Sequence, residues 1–545
     1  MPDLALLAGG LLIGMLLRHF RIPTGWFNRL ANRRAAAILL CAGIATIPRL
    51  LLLPWLAYPE PSIHDEFSYL LGAQTLAAGR LTNPTPAGWP HFESFHINLI
   101  PTYQSMYQPA PSLFYALGIL AGGSPWWGVW LSMGLMCGAI CWALQPVIRP
   151  RYALLASLFC ALKYGVFTSY SDSYWGGAAC ALGAAMALGA CVRLRVEGGW
   201  RQVILLVFGW ALLANSRIFE GLLFAVPLGI AAVAWMTRER RIREFCLMAA
   251  LLATVCAGMG YYNLRGTGRV FEMPYLANFE QYHFVRPFLG TGMLPEPSYR
   301  HRSMAKMYEK WEGEPGRLAQ SAAGIWTLTG QKFRFYYKQH FSPLLFLALL
   351  GTLAALRARR RRLLAWTFLV VAAGLFSVVW RPESAYPAPL LVSFFGLSAL
   401  GVRYLRAALR GRRAIGMWWT RGIMAGMLLF ALGTMVSNGL RGLRHSVEFP
   451  LPWNLERVRL IHDLERRGGR HLVLVKYFAD HSFHEEWVYN QPAIDEQKVI
   501  LARAMGGEGD YRLVQHYADR QAWLLKPDER GLPTMLVPWD TARHR

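Results

Sequence analysis

Acidic residues are scarce in this chain. Its 545 residues include 57 lysines and arginines but only 32 aspartates and glutamates, and charged residues together make up 16%. Such a composition, with 54% hydrophobic residues, excludes an ordinary soluble domain of this length. Cysteine is sparse as well. The eight thiols, at 41, 137, 141, 160, 180, 191, 246 and 256, all lie in or beside apolar runs and show no CxxC spacing, which excludes a disulfide framework or a zinc ribbon. No Walker loop, strand-linked GxGxxG, HExxH or GxSxG elbow stands in a convincing context. Internal repeats and low-complexity tracts are also missing. The run 4–17 has no basic segment before it, so it reads as a first short span and not as a cleavable leader.

What the chain has in quantity is long apolar runs. Several approach the ~20 residues that cross a bilayer core as a helix. Spans are expected at 3–18, 37–57, 126–145, 152–170, 176–196, 202–215, 218–236, 244–262, 341–356, 363–380, 387–404 and 417–437. The predicted fold class is therefore an α-helical polytopic membrane protein of about 11–12 transmembrane helices. The net charge of +25 follows the same plan. The connections 18–34, 145–152, 192–202, 237–244, 357–362 and 403–413 hold 24 Lys and Arg residues, whereas 58–111, 171–175, 215–220 and 381–386 hold three, Arg80, Arg217 and Arg381. Short cytoplasmic loops collect positive charge. The basic excess is thus a topology signal, and nucleic acid is not an expected partner.

On this topology three mixed segments lie outside: 58–125, 263–340 and 438–545. The first carries two surface helices, 63–78 and 110–121. The second holds Pro274, Pro287, Pro295, Pro297 and Pro315 and reads as a long loop with short helices. The third reads as a small α/β domain, with strands over 471–478 and 521–527 and a helix over 495–505. The domain plan is a membrane body, 1–437, followed by the extracytoplasmic domain 438–545.

The outer ends of the spans carry a recurring set of ionisable residues. In "PSIHDEFSYLLGAQTLAAGRL" (61–81), His64, Asp65 and Glu66 follow an apolar span directly. Ser62 with Asp65 fits a helix capping box, and carboxylates in a first helical turn suit the macrodipole. Alternatively, a partly desolvated carboxylate there serves as a base, with Asp65 as that base and Glu66 orienting an acceptor or a metal. Each remaining candidate also carries two readings. Arg217 and Glu220 in "NSRIFEG" either pair locally or present a guanidinium to phosphate. Lys163 either snorkels or meets an anionic headgroup. Asp172 and Tyr174 in "SYSDSYWGGA" either begin the next span or line a site. Arg381, Glu383 and Tyr386 in "WRPESAYPAP" form either a rigid interfacial turn or a binding edge. Charges near the hydrocarbon usually face a cavity or a partner, and these share one side of the membrane.

The order of "HDEFSYLLGAQTLAAGRL", "YQPAPSLFYALGILAGGSPWWGVWLS", "SYWGGA" and "RPESAYPAPLL" resembles the GT-C glycosyltransferases that use polyprenyl-phosphate sugars. Protein O-mannosyltransferases and the lipid A aminoarabinose transferase are examples, and the resemblance covers about residues 35–405. It implies that the acidic pair Asp65 and Glu66 is catalytic. It places the family's Lys-or-His-Pro-Pro motif on Gln108, Pro109, Ala110 and Pro111, where Gln replaces the basic residue. The family's late basic segment falls on Arg381, Tyr386, Pro387 and Pro389. His64, Lys163, Asp172, Tyr174, Arg217, Glu220, Arg381 and Tyr386 become candidate substrate contacts. A divalent metal stays open, and no ligand set aligns. The implied activity is inverting transfer of a sugar from a polyprenyl-phosphate donor to an extracytoplasmic glycan, lipid or protein, at the outer face of a bacterial inner membrane. The alternatives are a transporter or flippase of a lipid-linked precursor, and an anchor for the domain 438–545.

Overall fold

The computed structural model describes residue 12 and residues 25–359, 361–408, 413–445, 452–529 and 535–539. The chain divides into two compact units. The first comprises Met1–Tyr58, Trp126–Ala257 and Ala322–Ser446, and the second Pro59–Pro125, Gly258–Ser321 and Val447–Arg545.

Helices form at eleven of the twelve expected spans. The twelfth, 3–18, lies outside the described residues apart from Leu12. Among the described residues six helices are long and apolar enough to cross a membrane: Arg34–Leu51, Trp126–Leu144, Gly177–Glu197, Ile218–Arg238, Ile242–Thr267 and Ala388–Ala408. A seventh crossing is possible through Ala322–Phe341 and Leu345–Leu356, a pair bent by 89°. The sequence assigns a simple span to 341–356, and Pro343 explains the difference. Proline lacks the N–H and pushes the residue before it into an extended conformation. Ser342 is indeed extended, at φ −69° and ψ 141°.

Two buried lysines cap free carbonyls in this unit. Lys163 Nζ donates to the carbonyls of His340 and Ser342. Lys332 Nζ donates to those of Val378 and Leu375, at the C-terminal end of the helix Arg362–Ser377. Cations at helix C-termini satisfy orphan carbonyls and complement the dipole. Small residues let the backbones approach elsewhere in the unit. A Cβ at Gly351 would overlap the Leu397 carbonyl oxygen, and one at Gly401 that of Leu347.

The second unit is built on a four-stranded sheet in the order Val499–Arg503, His471–Val475, Gln521–Lys526, Met535–Pro538. The first three strands run parallel and the last antiparallel. Side chains alternate between the faces. Leu472, Leu474, Ile500, Ala502 and Leu524 pack on Phe67, Leu71, Phe92, Ile97, Leu99 and Tyr103 of the segment 59–125. Val473, Val475, Leu501, Trp523 and Leu525 pack on Leu464, Trp487 and Val488. Burial on both faces gives continuous apolar strands, the usual mark of parallel pairing. It also corrects the helix expected over 495–505. That stretch is one 3₁₀ turn, Ile494–Glu496, followed by a strand. Short apolar runs of this kind do not separate helix from strand by periodicity.

Arg503 joins the three segments of this unit. Its guanidinium donates to the Glu93 carbonyl at 2.6 Å, to Ser303 Oγ at 2.8 Å and to the Glu486 carboxylate. Both Arg503 and Glu486 are buried. Removing one partner of such a pair strands the other, at about 3–5 kcal/mol. Arg503→Ala is accordingly expected to lower the unfolding temperature of the purified protein and to open the segment 452–529 to limited proteolysis. An unchanged melting curve and digestion pattern would contradict this role.

Candidate functional site

The helix His64–Ala77 starts after Pro59 and Pro61, with Ile63 extended at its N-cap. Three polar groups need acceptors there, and the Glu66 side chain meets them. Its Oε2 accepts from Ser62 N at 2.8 Å, Ile63 N at 3.3 Å and Ser62 Oγ at 3.3 Å. The capping carboxylate is therefore Glu66 and not Asp65. The sequence pattern misplaces the cap by one residue, because the first turn begins at Ile63 and puts Glu66 at the third helical position. Gly79, at φ +71°, ends the helix as the pattern expects, and Arg80 N reaches back to the Thr75 carbonyl.

Neighbouring positions on a helix point ~100° apart. Asp65 consequently faces another set of groups. Tyr107 Oη donates to Asp65 Oδ1 at 2.5 Å, and the same hydroxyl lies 3.1 Å from His96 Nδ1. His96 Nδ1 stands 3.6 Å from Asp65 Oδ2. The Asp65 side chain is 16% exposed and that of His96 13%, so the pair is sheltered but open to solvent. The ring of Tyr107 is stacked on Tyr69 with centroids 4.5 Å apart.

His64 lies beneath this group, buried. Its Nδ1 shares a hydrogen bond with Tyr489 Oη at 2.9 Å, and its ring packs on Phe95. The expected substrate contact is thus an internal tie to the C-terminal segment. Burial, reinforced by His96, holds the imidazole well below its usual range, against the pull of Asp65. Gln108 is also buried, and among the described residues neither of its amide atoms has a hydrogen-bond partner.

A second set of the expected residues converges within the first unit. Arg217 is the N-cap of the helix Ile218–Arg238, and its guanidinium lies over the Tyr386 ring, 4.5 Å from the centroid. Glu220 occupies the first turn of that helix. The charges of Glu220, Glu383 and Arg217 all act on the Tyr336 hydroxyl. Arg381 is partly buried on the turn that bears Tyr386. Asp172 and Lys163 have structural partners. Asp172 pairs with Arg49 and accepts from Phe167 N at 2.7 Å, while Arg49 also donates to the Leu56 and Ala57 carbonyls. Lys163 holds the carbonyls described above. Tyr174 is buried.

Several of these residues escaped the sequence reading. Arg49 is a lone cation inside an apolar run, a signal that calls for a buried anion. Tyr107, His96 and Tyr336 had no comparable signal. Among the described residues no group of three or more His, Cys, Asp or Glu side chains is placed to hold a metal ion.

Two outcomes follow. Glu66→Ala should cost about 1 kcal/mol in thermal unfolding through loss of the cap, whereas Glu66→Gln, which keeps an acceptor oxygen, should lose much less; equal losses would reject capping. The second concerns His64, whose folded-state pKa is depressed below the usual 6.5. The unfolded chain then binds the extra proton. The stabilisation is full above about pH 6.5 and falls as pH drops toward the folded value, by at most about 1.4 kcal/mol per unit. His64→Gln should flatten this acid limb in melting curves taken from pH 7.5 to 5, and an unchanged slope would count against it.

No family model and no curated relative matches the sequence. Solved structures match its fold. The oligosaccharyltransferase of Archaeoglobus fulgidus, crystallised with Zn and sulfate, superposes with a TM-score of 0.50 at 13% identity, covering 90% of this chain and 68% of that one. ArnT from Cupriavidus metallidurans, in the apo state, superposes with a TM-score of 0.52 at 12% identity and covers 93% of each chain. At these identities the likeness is one of fold alone.

Proposed function

We propose that the protein is a membrane glycosyltransferase that moves a sugar from a polyprenyl-phosphate donor to an extracytoplasmic acceptor, with Asp65 as the base. The observation that carries this reading is the division of labour in the acidic pair. Glu66 spends an oxygen on the backbone of its own helix, while Asp65 stays sheltered, partly open to water and hydrogen-bonded by a tyrosine. The GT-C fold supports it. Among the described residues nothing favours transport of an intact lipid-linked precursor.

The chemistry is a displacement at the anomeric carbon. The acceptor's hydroxyl or amine loses its proton to Asp65 as its lone pair attacks the sugar. The C–O bond to the lipid phosphate breaks on the opposite side, which inverts the centre. The polyprenyl phosphate leaves as an anion and needs positive charge. Arg217, backed by Tyr386, and Arg381 are assigned to it, because a planar guanidinium offers phosphate two parallel hydrogen bonds. The lipid tail stays in the bilayer while the acceptor glycan, lipid or protein arrives from the exterior of the inner membrane.

General-base catalysis contributes about 10²–10⁴-fold. Asp65→Asn should therefore lower turnover of a polyprenyl-phosphate sugar by about that factor in reconstituted vesicles, at an unchanged unfolding temperature. Turnover near wild type would remove Asp65 from the role. Arg217→Ala should reduce transfer, with Arg217→Lys recovering only part of it; full activity in the alanine variant would reject the phosphate assignment.

A further inference from the structure

Once Asp65 has taken a proton, the next cycle requires that it lose it. We infer that Tyr107 and His96 form the path by which that proton leaves, an inference that rests on the base role proposed for Asp65. The geometry is a chain of three groups. Asp65 Oδ1 and Tyr107 Oη are 2.5 Å apart, and Tyr107 Oη and His96 Nδ1 are 3.1 Å apart. His96 is partly open to solvent, so its ring has a route onward.

The backbone of His96 supports this assignment. Its φ is +59°, a left-handed conformation that few residues other than glycine adopt. Its carbonyl is held there by Ser68 Oγ at 2.6 Å and Met106 N at 3.2 Å, and Ser68 Oγ in turn bonds Ser105 Oγ at 2.7 Å. Strained positions over-determined by their surroundings cluster at functional sites. Here the constraint aims the imidazole at Tyr107 and Asp65.

The transfer balances as follows. The acceptor's O–H or N–H bond breaks, and an O–H bond forms on Asp65. Protonated Asp65 becomes the donor, which turns the Tyr107 O–H toward His96 Nδ1; the Asp65 O–H then breaks as a new O–H forms on Tyr107. At the same time the original Tyr107 O–H breaks and an N–H forms on His96 Nδ1. The result is an aspartate and an imidazolium, whose Nε2–H goes to water; exchange of the ring proton with water then returns neutral His96 to the tautomer with Nδ1 free. The titratable groups facing His96 are Asp65, Tyr107 and His64, whose ring lies edge-on with centroids 5.8 Å apart.

The test uses the full-length protein in vesicles with a polyprenyl-phosphate sugar and an acceptor. His96→Gly accepts the positive φ and leaves room for an added base. It should lose about 10–100-fold in kcat with KM little changed, and imidazole in the buffer should restore the rate with saturation. Wild type and Asp65→Asn should not respond to imidazole. His96→Asn, which also tolerates the left-handed backbone, should show the same loss at a wild-type unfolding temperature. Tyr107→Phe should lower kcat similarly. Full turnover in either His96 variant, or a loss in folded His96→Gly that imidazole does not relieve, overturns the relay. If Asp65→Asn is inactive while the His96 variants are not, the relay fails and the base survives. If Asp65→Asn retains full activity, the base reading itself fails.

Discussion

The hydrogen bonds from Ser62 and Ile63 to the Glu66 carboxylate set the beginning of one helix, and with it the aim of everything near Asp65. A carboxylate that caps its own helix is held in place by backbone groups that would otherwise be orphaned. With that oxygen spent, the adjacent aspartate projects a quarter-turn away, toward Tyr107 and His96. Each of these partners is fixed by another element. Tyr69 stacks beneath Tyr107, Ser68 and Met106 hold the His96 backbone, and Tyr489 anchors His64 from more than four hundred residues away.

Buried charges act as fasteners in both units. In the first, Arg49 spans Asp172 and two carbonyls, and Lys163 and Lys332 hold the carbonyls of a broken helix and a helix end. In the second, Arg503 gathers three segments, and Glu93 gathers Tyr282, Arg300 and His301. Burial alone would raise the Glu93 carboxyl, but the hydrogen bonds from His301 and Tyr282 outweigh it and hold the carboxyl below its usual range. Such groups add little net stability compared with an apolar replacement, and losing a single partner is costly. Long, irregular segments rich in proline have few helices to order them, and paired charges of this sort tie them at defined points.

Much of this was legible along the chain. The apolar runs located the helices. The terminal glycine of 61–81 ended its helix as written. Arg217 and Tyr386 were singled out as candidates, and they meet as a cation over a ring. What escaped has a common cause. The choice between Asp65 and Glu66 as cap turns on a shift of one residue in the helix start, which pattern does not resolve. Arg49 and Asp172 lie 123 positions apart, and no local spacing joins them. Val499–Arg503 looked helical because a strand buried on both faces loses the alternation that identifies a strand. His96 and Tyr107 come from a loop without periodicity, where only the folded backbone shows which side chains meet.

The claim at the centre is that a carboxylate-activated acceptor displaces a lipid phosphate. The most direct measurement follows the fate of a labelled polyprenyl-phosphate sugar incubated with the purified protein and an acceptor in vesicles. The account predicts free polyprenyl phosphate released in a one-to-one ratio with glycosylated acceptor, and an anomeric centre inverted relative to the donor. Recovery of intact lipid-linked sugar in the opposite leaflet, with no phosphate lipid released, would contradict it.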